Sequence, residues 1–123
     1  MSFIFRRLFS TTSPTMSEAA QEKVKQLIAD NGVVVFSKTY CPYCQNTKRL
    51  LDGYGAKYAA YELDKESNSD LQDALFEITG QRTVPNIYIN KQHIGGDSDF
   101  QAVVKNGKDG KNIEELLQAA GAI

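Results

Sequence analysis

Two cysteines, Cys41 and Cys44, are the residues best suited to do chemistry in this chain. They form the run Cys41-Pro42-Tyr43-Cys44 and are the only cysteines in 123 residues. Two thiols at this spacing can close a small disulfide, and one can displace a group held by the other. Two duller readings compete: a pair of small buried hydrophobes, or half of a metal site. A closed zinc site needs about four ligands. Two cysteines and the single histidine, His93, do not supply them without carboxylates. A disulfide-scaffolded secreted domain would spread several cysteines along the chain.

The flanking sequence decides in favour of redox chemistry. Val33-Val34-Val35-Phe36 is a short continuous apolar run, as in a strand buried on both faces. Residues 42–53 read as a helix, with Leu50 and Leu51 inward and Gly53 and Gly55 as stops. Pro42 fits the first helical position, where no N–H is needed. Cys41 is then the N-cap, its sulfur facing the free N–H groups of the first turn. The partial positive charge there stabilises a thiolate, and Lys38 adds a cation nearby. Cysteines so placed have pKa values of about 3.5–7.5, against ~8.5 for a free thiol. Cys44 is expected to be more buried and more thiol-like.

The elements that must hold this pair alternate between helix and strand. Ser17 is placed to cap a first helix carrying Val24, Leu27 and Ile28 and ending at Asn31-Gly32. Residues 58–63 (YAAYEL) read as a strand. Asn68 or Ser69 opens a helix with Leu71, Leu75 and Ile78 in register, closed by Gly80. Asn86–Asn90 and Gln92–Ile94 read as a hairpin whose turn, Asn90-Lys91, lacks the favoured glycine. Two helices follow, with Phe100, Val103 and Val104, then Ile113, Leu116, Leu117 and Ala120. The order is α-β-α-β-α-β-β-α-α. A right-handed β-α-β unit gives parallel strands, and the hairpin adds antiparallel ones. The fold class is therefore α/β, a four-stranded mixed sheet flanked by helices.

Composition fits one soluble globular domain, with 41% apolar and 24% charged residues. A net charge of −1 offers no basic excess for nucleic acid. The apolar runs are too short to span a membrane. Residues 1–15, MSFIFRRLFSTTSPT, stand apart: Arg6 and Arg7, no acid, several hydroxyls and an apolar side. This is the composition of a mitochondrial transit segment. Arg7-Leu8-Phe9-Ser10 resembles a matrix-peptidase cleavage site, and Met16 offers a second start. The expected division is a leader at 1–15 and a catalytic domain at 16–123, located in mitochondria and cytoplasm. The other reading of the leader is a tail with no address.

Cys41-Pro42-Tyr43-Cys44 resembles the motif of dithiol glutaredoxins. Thr83-Val84-Pro85 and Gly95-Gly96-Asp97-Ser98-Asp99 fall where that family carries its other two signatures. The resemblance covers about residues 17–123. It implies a thioredoxin-like fold and a glutathione-dependent thiol–disulfide oxidoreductase. Thioredoxins typically carry Gly-Pro between the cysteines and a Trp before them, and this chain has no Trp. The resemblance further implies that Lys38 and Gln72 hold the glycyl carboxylate of glutathione, which suits a cation and an amide donor. Val84, before a cis-Pro85, would pair through its backbone with the cysteinyl part. Gly96 and the helix start at Asp97, Ser98 and Asp99 would receive the γ-glutamyl carboxylate and ammonium. Tyr43 would flank the sulfur, and Thr83 belongs to the same signature.

Each of these has a structural alternative. Lys38 and Gln72 fit as solvated residues, Thr83 as a turn residue, and Asp97, Ser98 and Asp99 as caps. His93 reads as a surface residue on a strand. Phe36, Tyr58, Tyr61 and Phe76 read as core. The expected reaction is reduction of protein–glutathione mixed disulfides and protein disulfides by Cys41 as nucleophile and Cys44 as resolving thiol. Glutathione is the reductant, no metal is required, and glutathione reductase is an indirect partner. A monomer with glutathionylated or disulfide-bonded protein substrates is expected, without nucleic acid or membrane partners. The alternative is a module in which two copies and two glutathiones hold a [2Fe–2S] cluster on Cys41. Cluster-holding relatives tend to have Ser or Gly at the position of Pro42.

Overall fold

The computed structural model describes residues 15–123, apart from the side chain of Met16. The transit-like composition and the cleavage-site resemblance of the leader lie outside the described residues. Helix α1 spans Met16–Asp30. Thr15, rather than Ser17, caps it: the Thr15 hydroxyl accepts the Glu18 N–H, and Glu18 returns a bond to the Thr15 N–H. That reciprocal capping box satisfies two backbone donors at once.

Strand β1 (Val33–Ser37) is buried along its whole length. It lies inside the sheet, pairing in parallel with β2 (Ala59–Glu62) and antiparallel with β3 (Asn86–Ile89). Strand β4 (Gln92–Gly95) completes the order β2-β1-β3-β4. Between β1 and β2 runs α2 (Pro42–Gly53); α3 (Leu71–Thr79) follows β2 after a 3₁₀ turn at Glu66–Asn68. Helices α4 (Asp97–Asn106) and α5 (Ile113–Ala119) end the chain.

Alternation along β1 builds two cores. Val34 and Phe36 face α1 and α3, packing with Val24, Leu71, Leu75 and Tyr88. Val33 and Val35 face the other helices, packing with Leu51, Ile87, Phe100, Ile113 and Leu117. The continuous apolar run is thus a strand covered on both faces. The thioredoxin-like architecture expected from the sequence is the one observed.

Several boundaries differ. Helix α3 starts after Asp70, not at Asn68 or Ser69, because Asn68 belongs to the preceding 3₁₀ turn and Ser69 closes it. Strand β2 is 59–62, shorter than 58–63 by one residue at each end. The hairpin turn forms without glycine: Asn90 and Lys91 both take positive φ, 49° and 66°. Two successive positive φ values define the type I′ turn that matches strand twist, and Asn tolerates that region well. Phe76 is half-buried, with the Arg82 guanidinium 3.9 Å from its ring centroid, so it is not a core residue. Phe36 is fully buried as expected, and Tyr58 and Tyr61 pack against the cores. Among the described residues, no helix is long and apolar enough to cross a membrane.

Candidate active site

The cysteines sit where β1 hands over to α2. Pro42 occupies the first turn and Cys41 is the N-cap. The Cys44 N–H donates to Cys41 Sγ at 3.3 Å, so the sulfur takes the place of a capping oxygen. The thiol of Cys41 reaches the Val84 carbonyl oxygen at 3.7 Å. Both cysteines are free thiols. Cys44 is fully buried. Burial first, and the adjoining Cys41 sulfur second, push its thiol up to about 11 against the pull of the Lys38 backbone and the Ser37 hydroxyl.

Val84 comes from the loop between α3 and β3, and its peptide bond to Pro85 is cis, as expected. Gln81 braces this loop from within, its amide nitrogen donating to the carbonyls of Thr83 and Pro85 at 3.0 Å each. Beside the loop lies a groove of about 560 Å³. Tyr43, Thr83, Val84, Pro85, Gly96, Asp97, Ser98 and Asp99 line it, together with Gln81 and Gln101. Eight of the expected binding residues therefore share one concavity beside Cys41. Tyr43 is 67% exposed at its rim, which leaves its ring free to meet a bound molecule.

The start of α4 is more tightly built than its sequence implies. Asp97 is buried. Its carboxylate accepts Thr47 Oγ1 at 2.7 Å, Gln101 Nε2 at 2.7 Å, and Asn46 Nδ2 at 3.1 Å on each oxygen. Asp97 thus ties α4 to α2. Asp99 is exposed, and its Oδ2 accepts the Gly96 N–H at 2.9 Å. Gly95 has φ of +116°, and a Cβ there would run into the Asp99 carboxylate. Both facts require glycine at 95. Ser98 is exposed on the same turn.

Two expected ligands stand off the groove. Lys38 is half-buried in the β1–α2 loop, and its carbonyl accepts the Cys41 N–H at 3.1 Å. The Thr39 hydroxyl and N–H, with the Lys38 charge, hold the Asp64 carboxyl below the usual carboxylate range. Gln72 is half-buried on α3 and donates to the Arg82 carbonyl at 3.3 Å. His93 is an exposed residue of β4, as expected, its Nε2 2.8 Å from Asn86 Oδ1. Burial lowers its pKa, opposed by Asp99. Gln81 and Gln101 were not legible as site residues, since an amide side chain has no motif of its own.

The model of the glutaredoxin family matches residues 33–94, from the first strand to the hairpin. A glutaredoxin of Ricinus communis is 52% identical over 105 residues, covering 85% of this chain and 99% of its own. The chain belongs to the glutaredoxin family. Members of this family are glutathione-dependent oxidoreductases, and this chain is such an enzyme. Glutaredoxin-C2 of Arabidopsis thaliana is likewise 52% identical, over 85% of this chain and 91% of its own. The structure of a buckwheat glutaredoxin–glutathione complex superposes with a TM-score of 0.81 at 44% identity, covering 89% of this chain and 99% of that one. The described fold of this glutaredoxin-family chain thus has a ligand-bound counterpart.

Proposed function

We propose that this enzyme reduces protein–glutathione mixed disulfides and protein disulfides, with Cys41 as nucleophile and Cys44 as resolving thiol. One observation carries the reading: Cys41 Sγ sits between the α2 N-terminus and the Val84 carbonyl, beside the groove. The Cys41 thiolate attacks the glutathione sulfur of a glutathionylated protein. The S–S bond to the protein breaks, and the protein thiolate leaves and takes a proton from water. A glutathione thiolate then attacks the glutathione sulfur held on Cys41, freeing Cys41 and leaving as glutathione disulfide. Glutathione reductase returns that disulfide to glutathione. For a protein disulfide, Cys44 attacks Cys41 instead and releases the substrate thiol.

The groove supports glutathione as the ligand. The Val84 backbone lies beside Cys41, as pairing with the cysteinyl part requires. The open N–H groups at the start of α4 suit the γ-glutamyl carboxylate, and Asp99 and Ser98 are exposed to its ammonium and carboxylate. Lys38 and Gln72 serve the glycyl carboxylate only if their side chains swing toward the ligand. The chain acts as a monomer, and residues 1–15 address it to mitochondria. Fusing those residues to a soluble reporter checks the address, and a diffuse reporter would reject it.

The deciding experiment measures glutathione-dependent turnover of a glutathionylated peptide, with Cys41→Ser alongside. Loss of turnover on substitution is expected; full activity would sink the reading. An absorbance scan of freshly purified protein separates it from the cluster-holding alternative, which sulfide-to-iron bands would favour.

A further inference from the structure

Cys41 sits in a recess and is only 9% exposed. A substrate sulfur that reaches it brings the atoms attached to that sulfur against the surrounding rim. The groove accounts for one part of such a substrate, the glutathione half. A client protein is the other part. When its own disulfide is attacked, the polypeptide becomes joined to Cys41 itself, and the groove makes no provision for it.

The rim carries a feature that glutathione does not explain. Among the described residues, the exposed large apolar side chains are Tyr40, Tyr43 and Ile123. Ile123 is distant in sequence, whereas Tyr40 directly precedes Cys41 and Tyr43 follows it by two residues. Tyr43 lines the groove and Tyr40 does not. Tyr40 is nevertheless the most exposed of the three, at 69%. The backbone that displays it is firmly held. On one side, the Cys41 N–H closes a turn onto the Lys38 carbonyl at 3.1 Å. On the other, the Thr39 N–H donates to Asp64 Oδ1 at 3.1 Å, and the Thr39 hydroxyl donates to Oδ2 of the same carboxylate. Asp64 is in turn fixed beside β1, because its neighbour Leu63 donates its N–H to the Ser37 carbonyl at 2.8 Å. Both neighbours of Tyr40 are therefore tied down while its own side chain stands in water. A group presented on so ordered a loop has less freedom left to lose on binding.

We propose that Tyr40 is the contact for the polypeptide half of the substrate, and that it receives an apolar side chain next to the substrate cysteine. This rests on the reaction argued above and names what that reaction's clients offer the enzyme. A tyrosine ring gives a broad apolar face while its hydroxyl stays wet. The charges of the same loop and its anchor, Lys38 and Asp64, are opposite in sign and offset one another. The ring, not a charge, is then what distinguishes one client from another. The two tyrosines divide the substrate: Tyr43 meets the glutathione half in the groove, and Tyr40 meets the protein half outside it.

Two glutathionylated peptides test this, alike except that leucine or serine flanks the central cysteine. The mixed disulfide of free cysteine with glutathione serves as a substrate without a polypeptide. The wild type should show a kcat/KM at least fivefold higher for the leucine peptide than for the serine peptide. Tyr40→Ala should bring that ratio within twofold of one, and leave turnover of the cysteine–glutathione disulfide within twofold of wild type. Tyr40→Phe keeps the apolar face and should keep the preference. Tyr43→Ala should raise KM on all three substrates alike, since all carry glutathione. A leucine preference that survives in Tyr40→Ala would overturn the assignment, as would a wild type that does not distinguish the peptides. Equal loss on all three substrates in Tyr40→Ala would place Tyr40 with the glutathione half and overturn it too. So would a wild-type dimer on gel filtration that Tyr40→Ala dissolves, because the ring would then belong to a second copy. Absence of turnover of the cysteine–glutathione disulfide by the wild type would instead overturn the reaction itself.

Discussion

Thr47 Oγ1 on α2 donates to Asp97 Oδ1 on α4 at 2.7 Å, fifty residues away in sequence and wholly inside the protein. This bond joins the helix that carries the cysteines to the helix start that lines the groove. Asn46 and Gln101 donate to the same carboxylate. Asp97→Ala would strand these donors, Thr47 in a fully buried position. Hydrogen bonds to charged groups contribute ~1.5–3 kcal/mol, and a stranded buried donor costs a similar amount. The variant should therefore lose about 2 kcal/mol or more, read by denaturant unfolding. An unchanged midpoint would show that Asp97 does not hold the two helices together.

Asp99 should behave differently. It is exposed, and its visible work is one bond to the Gly96 N–H. Asp99→Ala should cost up to ~1 kcal/mol of stability, as lost caps typically do. Its larger effect should be a severalfold rise in the apparent KM for glutathione, because a bound ammonium loses its partner. Lys38→Ala should raise that KM with little change in melting. An unaltered KM in both variants would reject their place in the ligand site.

The contrast between these two aspartates shows what the sequence makes legible. Gly-Gly-Asp-Ser-Asp marks a turn and a helix start by residue type alone, and both are there. Nothing local tells Asp97 from Asp99, because burial of Asp97 depends on α2 lying across it. The apolar run Val33–Phe36 marked β1, since it is too short for a helix and made of β-branched and aromatic residues that suit a strand covered on both faces. Caps were harder. Ser17, Asn68 and Ser69 are good capping types, yet Thr15 and Asp70 hold those positions. Glu18 was the missed signal, three residues after Thr15 in a capping box. The pairing of Ser37 with Glu62 was invisible, because it requires the strand register.

That capping box bears on where translation starts. A chain begun at Met16 lacks Thr15 and places a positive amino group at the N-terminus of α1, where the helix dipole disfavours it. Loss of a Thr cap costs about 0.5–2 kcal/mol. The form starting at Met16 should fold and turn over substrate, yet melt below a form that retains Thr15. Equal melting temperatures would show that the first turn of α1 contributes nothing to the folded state.

Alkaline pH should weaken the fold through Cys44. Its folded thiol is pushed up to about 11, chiefly by burial. An unfolded chain releases the same proton near ~8.5. Between those values the unfolded state binds fewer protons, so stability falls as pH rises. The contribution is complete below the lower value and gone above the higher one. Tyr58 and Tyr88 are raised as well, chiefly by burial, and push in the same direction at higher pH. Melting temperature followed across this window should decline more steeply in the reduced wild type than in Cys44→Ser. Parallel declines would assign the effect to the tyrosines.

Cys44→Ser should also divide the two catalytic routes. Attack on a glutathionylated protein needs Cys41 and then a second glutathione. That activity should survive in the variant, or rise. It would rise because Cys44 otherwise captures the Cys41–glutathione intermediate and diverts it into the enzyme disulfide. Serine keeps the size and place of the side chain, so the cap that Cys44 offers Cys41 through its backbone N–H is retained. A protein disulfide is another matter. There Cys41 becomes joined to a bulky substrate, and the next nucleophile must reach a crowded sulfur. Cys44 is already in place, since its backbone touches Cys41 Sγ, and a tethered group acts at a very high effective concentration. Its loss should slow that route by orders of magnitude, with free glutathione recovering only part of it. Both assays on one preparation give the answer. Equal loss in the two would mean that Cys44 is structural, and that glutathione does not complete the first route unaided.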